Sequence, residues 1–141
     1  MLDAADRLAI LETLARFHET ADAQDLEAQL ALYLPDAEFV HGDTVKGHDA
    51  LRAALPGVMA GTLKRHCAAN VIIDGDEAAV LARYTLLVFE GETAPQLVAT
   101  SRVLDRLERH SDRWRLARHE VIVDPNLGRQ LTATPTAEGG T

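Results

Sequence analysis

A single cysteine, Cys67, in 141 residues excludes an internal disulfide framework and any paired-cysteine metal site. Basic residues are also scarce: 14 Lys and Arg face 22 Asp and Glu, a formal net charge of −8. That balance argues against nucleic acid and anionic membrane surfaces as partners. The opening MLDAADRLAILETLARF carries charge throughout and has no basic leading segment. Neither a signal peptide nor a membrane-spanning helix is expected there. No two histidines stand at H-x-H or H-x-x-x-H spacing, and no internal repeat is present. What is present, 47% hydrophobic and 26% charged residues, is the composition of one globular domain able to bury a core, expected to be soluble and cytoplasmic.

From Asp3 to about Ala23, Leu8, Leu11, Leu14, Phe17 and Ala21 recur every three to four residues, which predicts a helix with one apolar stripe. Asp25 is a candidate N-cap for a second helix, LEAQLALYL, ended by Pro35. AEFVHG is a strand candidate, and GHDALRAALPGVMAG a third helix stopped or interrupted at Pro56 and Gly57. Then the pattern changes to four strand-like runs, LKRHCAANVIID, EAAVLARYTLLVFE, QLVATSRVLDRLER and RWRLARHEVIVD, separated by turn clusters. Helices first and strands afterwards is the α+β order. The Thr-, Gly- and Pro-rich residues 125–141 read as a flexible tail following a domain over residues 1–124.

Strict alternation would place His66, Ala68, Asn70 and Ile72 on one face of their strand, with Cys67, Ala69, Val71 and Ile73 on the other. It groups Ala99, Ser101 and Val103, and likewise Ala117, His119 and Val121. The arginines and acids of RVLDRLERHSDRWRLAR read as a solvated sheet face that could meet a second subunit. Cys67 reads as a buried structural thiol and Trp114 as a packing anchor.

One residue is out of place on helix physics. Asp22 falls in the last turn of the first helix, where partial negative charge disfavours it unless something cationic answers. His18, four residues earlier, is a local candidate. A solvated Asx-turn is the bland alternative.

The stretches LARFHETADAQDLEAQLALYLPDAEF, VKGHDALRAAL, KRHCAANVIIDGDEAAV and DRWRLARHEV resemble the SnoaL-like branch of the nuclear-transport-factor-2-like, cystatin-like superfamily, over roughly Asp3 to Asp124. The resemblance implies three N-terminal helices on a strongly curved, mainly antiparallel sheet, a cone with an internal pocket. Within that superfamily, scytalone dehydratases and hexachlorocyclohexane dehydrochlorinases carry an aspartate and a histidine at positions matching Asp22 and His66. The dehydrochlorinases also have an arginine where His119 stands. The functional positions of ketosteroid isomerases fall on Phe17, His41 and about Val103, so that chemistry is not expected.

The resemblance therefore implies an Asp22–His66 dyad in a cofactor-independent lyase or isomerase, dehydratase-like, acting on a small, mostly apolar substrate. An imidazole takes a proton near neutrality, and a carboxylate on its other nitrogen fixes the tautomer and stabilises the imidazolium as it forms. Loss of a β-substituent needs a second polar group, for which His41 and His119 are the candidates. Phe17, Leu55, Met59, Tyr84, Phe89, Val103 and Val121 are candidate apolar walls. Three alternatives stay open: a polyketide-cyclase-like enzyme, a non-catalytic small-molecule-binding module, and a metal site of Asp22, His41, His66 and His119. No organic cofactor and no metal are called for, and a homodimer or trimer through the open sheet face is expected.

Overall fold

In a computed structural model, residues 1–61 and 63–125 are described. Helix α1 spans Ala4–Asp22, α2 Leu26–Ala31 and α3 His48–Met59. The strands are β1 Tyr33–His41, β2 Asp43–Lys46, β3 Lys64–Gly75, β4 Ala79–Glu90, β5 Gln96–His110 and β6 Arg113–Val123. All but the first residue of the expected tail, 125–141, lies outside the described residues. Among the described residues no helix is long and apolar enough to cross a membrane.

The α+β class holds, but the cone does not. The six strands form an open, mixed sheet in the order β2-β1-β6-β5-β4-β3. β1 runs parallel to β6, with Phe39 opposite His119, while the other neighbours are antiparallel. β2 and β3 remain as the two edges, so the sheet neither closes on itself nor curls strongly. The functional space lies between the three helices and one face of this open sheet.

Local chemistry explains the other departures. The buried stripe of α1 is Ile10, Leu14, Phe17 and His18, an equally good three-to-four spacing that leaves Leu8 and Leu11 exposed. α2 stops at Ala31, and the chain is already extended at Tyr33, so Pro35 sits inside β1 and not at a helix end. The pairing of β1 with β6 is irregular between Tyr33 and Glu38, around Pro35, as expected where a strand residue has no N–H to donate. Pro56 does not end α3, which continues to Met59 and carries Val58 and Met59 over the sheet.

The largest correction concerns β3. The ladder to β4 is irregular between Ala69 and Ile72, and Asn70 adopts φ +56°. This bulge inverts the alternation, because an extra residue moves every later side chain to the other face. Val71 and Ile73 consequently pack inward and Ile72 points out. Ahead of the bulge, Cys67 is exposed, not buried.

The β3–β4 hairpin carries His66 on one arm and Tyr84 on the other, and its turn is set by Gly75 and Asp76. The Asp76 carboxylate accepts from the backbone N–H groups of Ala78 and Ala79 at 2.9 and 3.1 Å. Gly75 has φ +145°, and a Cβ there would overlap the carbonyl oxygen of Ala79 and approach Val80 Cα to 2.7 Å. Gly75→Ala is therefore expected to lower unfolding free energy by about 1–3 kcal/mol, read as a reduced urea midpoint. An unchanged midpoint would show that the turn tolerates a side chain.

Candidate active site

The end of α1 is shaped to present Asp22. Ala23 N–H returns to Glu19 O at 2.9 Å and Asp25 N–H to Thr20 O at 2.9 Å, while Gln24 turns left-handed at φ +55°. Beyond that turn, the Asp25 carboxylate caps α2 through Ala28 N–H. Asp22 thus projects from a helix terminus whose dipole disfavours it, toward β3.

The partner that answers it is His66. Its Nδ1–H donates to Asp22 Oδ1 at 2.5 Å and its backbone N–H donates to Oδ2 at 3.1 Å. Both carboxylate oxygens are engaged, so ring and carboxylate are held in one relative orientation. With Nδ1 carrying the proton, Nε2 is the basic nitrogen of the neutral ring. The pair is largely shielded, with 23% of the His66 side chain and 11% of the Asp22 side chain exposed. His18 is not the local partner of Asp22 and bonds elsewhere.

Asp22 and His66 line two hollows. One is an open groove between α1 and β3, of about 870 Å³, edged by Glu19 and Arg65. The other is a cavity of about 350 Å³ beneath the helices. Phe17, Leu55, Met59 and Val121 stand on the cavity wall, and so do His41 and His119. Its volume falls within the range of small-molecule sites. Tyr84 and Val103 are in the core and not on that wall, and half-buried Phe89 is also off it. A register shift between Val88 and Phe89 changes which β4 side chains face inward.

A second carboxylate–imidazole pair lies deeper. His119 Nδ1–H donates to Asp105 Oδ1 at 2.5 Å, and the Tyr84 hydroxyl donates to Oδ2 at 2.7 Å. Asp105 has no exposed surface and His119 only 4%. His18 Nε2 lies 2.8 Å from the Tyr84 oxygen. Burial, and then the Asp105 charge and hydrogen bond, push the Tyr84 phenol well above its ordinary value, so it keeps its proton and donates. His18 is pushed well below the usual histidine value, first by burial and then by His119 and His66. It is therefore neutral near pH 7, and because Tyr84 donates to Asp105, His18 must carry its proton on Nε2 and donate to Tyr84.

Asp105 and the roles of His18 and Tyr84 escape a reading of charge alone, which assigned Asp105 to a solvated face. The available signal was alternation, since Asp105 stands between the inward Val103 and Leu107. Gln29 was also missed: it lines the cavity, and its Oε1 is a buried atom with no partner among the described residues. His48 Nε2 meets Tyr33 O at 3.1 Å, and His110 is exposed beside Glu108. Trp114 does anchor the sheet to α1, donating from Nε1 to Asp6 Oδ1 at 3.2 Å. Among the described residues no three or more His, Cys, Asp or Glu are grouped to hold a metal ion, so Asp22, His41, His66 and His119 do not converge as ligands.

The SnoaL-like domain family matches residues 3–120. The chain belongs to that family. A protein of unknown function with a cystatin-like fold from Nostoc punctiforme is similar to this SnoaL-like domain at 29% identity and a TM-score of 0.82, over 89% of this chain and 96% of its own. A Catenulispora acidiphila protein solved in complex with S-DNPA is 25% identical, with a TM-score of 0.79 over 88% of this chain and 97% of its own. A candidate scytalone dehydratase from Novosphingobium aromaticivorans shares the fold at 20% identity, with a TM-score of 0.75 over 85% of each chain. No curated protein gives a significant match.

The depressed His18 gives this SnoaL-like domain an acid-sensitive core. Its unfolded imidazole binds a proton below about pH 6.5, whereas the folded one resists protonation. Stability is therefore complete above that value and is lost as pH falls through it toward the folded value. Unfolding free energies from urea titrations between pH 7.5 and 5 should fall, by up to about 1.4 kcal/mol per pH unit from this group. His18→Gln should flatten that part of the profile, and an equally steep variant would refute the assignment.

Proposed function

We propose that this SnoaL-like domain is a cofactor-independent lyase or isomerase, dehydratase-like, in which the Asp22–His66 dyad abstracts a proton from a small, mostly apolar substrate. The observation that carries the proposal is the double hydrogen bond from His66 to Asp22, which commits Nδ1 and leaves Nε2 without a protein partner among the described residues. His66 also borders a cavity whose walls include Phe17, Leu55, Met59 and Val121. In that setting the carboxylate fixes the tautomer and stabilises the imidazolium as the carbon-bound proton arrives. Apolar walls exclude water that would otherwise compete for Nε2 and screen the pair. The fold shared with a candidate scytalone dehydratase supports the same reaction class.

The cavity also limits the substrate: about 350 Å³ suits a one- or two-ring carbonyl or hydroxy compound. The same proposal has the protein working in the cytoplasm as a homo-oligomer. Its contact surface would be the outer sheet face, where Ile72 and Ile122 are exposed near Arg83 and Arg102. The acidic net charge supports a small-molecule partner over nucleic acid.

A panel of aryl ketones incubated in deuterated buffer tests the first step, because exchange at the acidic carbon reports proton abstraction whatever follows it. Asp22→Asn and His66→Gln should each lower enzymatic exchange by about 10²–10⁴-fold. Exchange that survives both substitutions would refute the dyad. Sedimentation should show a dimer or larger assembly that Ile122→Lys dissociates, and a monodisperse wild-type monomer would refute the oligomer.

A further inference from the structure

Besides Asp22–His66, the cavity holds a second imidazole prepared in the same way by a different set of strands. His119 comes from β6 and its carboxylate, Asp105, from the neighbouring β5, where the two residues are direct register partners. Nδ1–H is committed to Asp105 at 2.5 Å, and the carboxylate is held from its other oxygen by Tyr84 at 2.7 Å. His18, from α1, secures Tyr84 in turn at 2.8 Å. Phe17 and Phe39 pack against the His119 ring, with centroids 4.7 and 5.7 Å away. These contacts account for the ring faces and for Nδ1. The atom left over is Nε2, on a residue that lines the cavity.

The two prepared imidazoles belong to one constellation, because the His18 ring lies 5.9 Å from that of His66 and 6.0 Å from that of His119. His18 is itself neutral and engaged with Tyr84, so it separates the two without competing for their proton. His41, the other candidate for a second group, stands exposed at the end of β1, stacked on Phe39 at 6.3 Å. No carboxylate orients it among the described residues.

We infer that His119, oriented by Asp105, is a second catalytic residue of this cavity, the one that protonates a departing hydroxyl, and that the substrate is a β-hydroxy carbonyl compound. The inference rests on the proton-abstraction reading of His66. A halide or carboxylate leaves as a stable anion and needs no proton, whereas hydroxide is a poor leaving group until it is protonated. A buried carboxylate–imidazole pair is a demanding feature to build, because each partner is costly in the core without the other. It has a use in the second kind of elimination and little in the first. In the step, the C–H bond at the carbon next to the carbonyl breaks and its proton goes to His66 Nε2. The electron pair forms the C=C bond, the β-carbon–oxygen bond breaks, and the oxygen takes the Nε2 proton of His119 imidazolium and leaves as water. His119 ends neutral and His66 protonated, and exchange with solvent restores both.

The test compares two ketones that give the same enone, 4-phenylbut-3-en-2-one: 4-hydroxy-4-phenylbutan-2-one, which loses water, and 4-acetoxy-4-phenylbutan-2-one, which loses acetate. His119→Gln should lower the ratio of water loss to acetate loss by at least about 100-fold. Asp105→Asn, which keeps the side-chain shape, should lower it in the same direction. His66→Gln should slow both reactions without moving the ratio. An unmoved ratio in folded His119→Gln overturns the role of His119 and leaves that of His66 standing. Wild-type protein that turns over neither ketone removes the reading and this inference together.

A measurement independent of turnover covers variants that fail to fold. In wild-type protein labelled with 15N-histidine, the His119 Nε2 resonance should shift when 4-phenylbut-3-en-2-one is added, as read by two-dimensional NMR. A ligand that shifts the His66 Nε2 resonance and leaves that of His119 unmoved would overturn the inference, because the His119 Nε2 atom would not be open to the cavity.

Discussion

A carboxylate with no exposed surface has to be answered from within the protein, and in this fold the answer to Asp105 organises much of the interior. Tyr84 on β4 and His119 on β6 reach it from the two strands that flank β5. His18 then joins the chain from α1, so one buried charge ties three strands to the longest helix. Replacing any one partner leaves the remaining polar groups in a low-dielectric setting, where the loss is typically several kcal/mol. The orientation of His119 follows from that constraint, since an imidazole whose Nδ1 is held by a buried acid can offer only Nε2 to the cavity.

The Asp22–His66 pair solves a different problem at the rim. An aspartate at a helix C-terminus is electrostatically misplaced, and two donors from one strand residue compensate it. The interaction also fastens the end of α1 to the edge strand β3. The two carboxylate–imidazole pairs therefore use the same chemistry at different depths, one partly wetted and one dry.

Much of this was legible in the residues themselves. Asp22 stood out because its position conflicted with the helix dipole, and the conflict pointed to an unseen partner. The α+β class followed from helical periods giving way to strand periods. Where the reading failed, the cause was usually a slip of phase. The Asn70 bulge inverted the second half of β3, and a stripe beginning at Leu8 was traded for one beginning at Ile10. Asp105 was lost differently: it lies among arginines and glutamates, and charge outweighed an alternation that already placed it inward.

Local sequence determined where helices and strands exist, which turn joins β3 to β4, and that an aspartate at the end of α1 required compensation. These depend on residues within a few positions of one another. Only the tertiary structure decided that β1 lies parallel to β6 in an open sheet, that His66 answers Asp22, and that Asp105 gathers Tyr84, His18 and His119. Those partners are 14 to 66 residues apart in the pairs they form. Nothing in the neighbourhood of either residue specifies such a pair. It is chosen when the helices bury one face of the sheet and each polar group carried inward must find another.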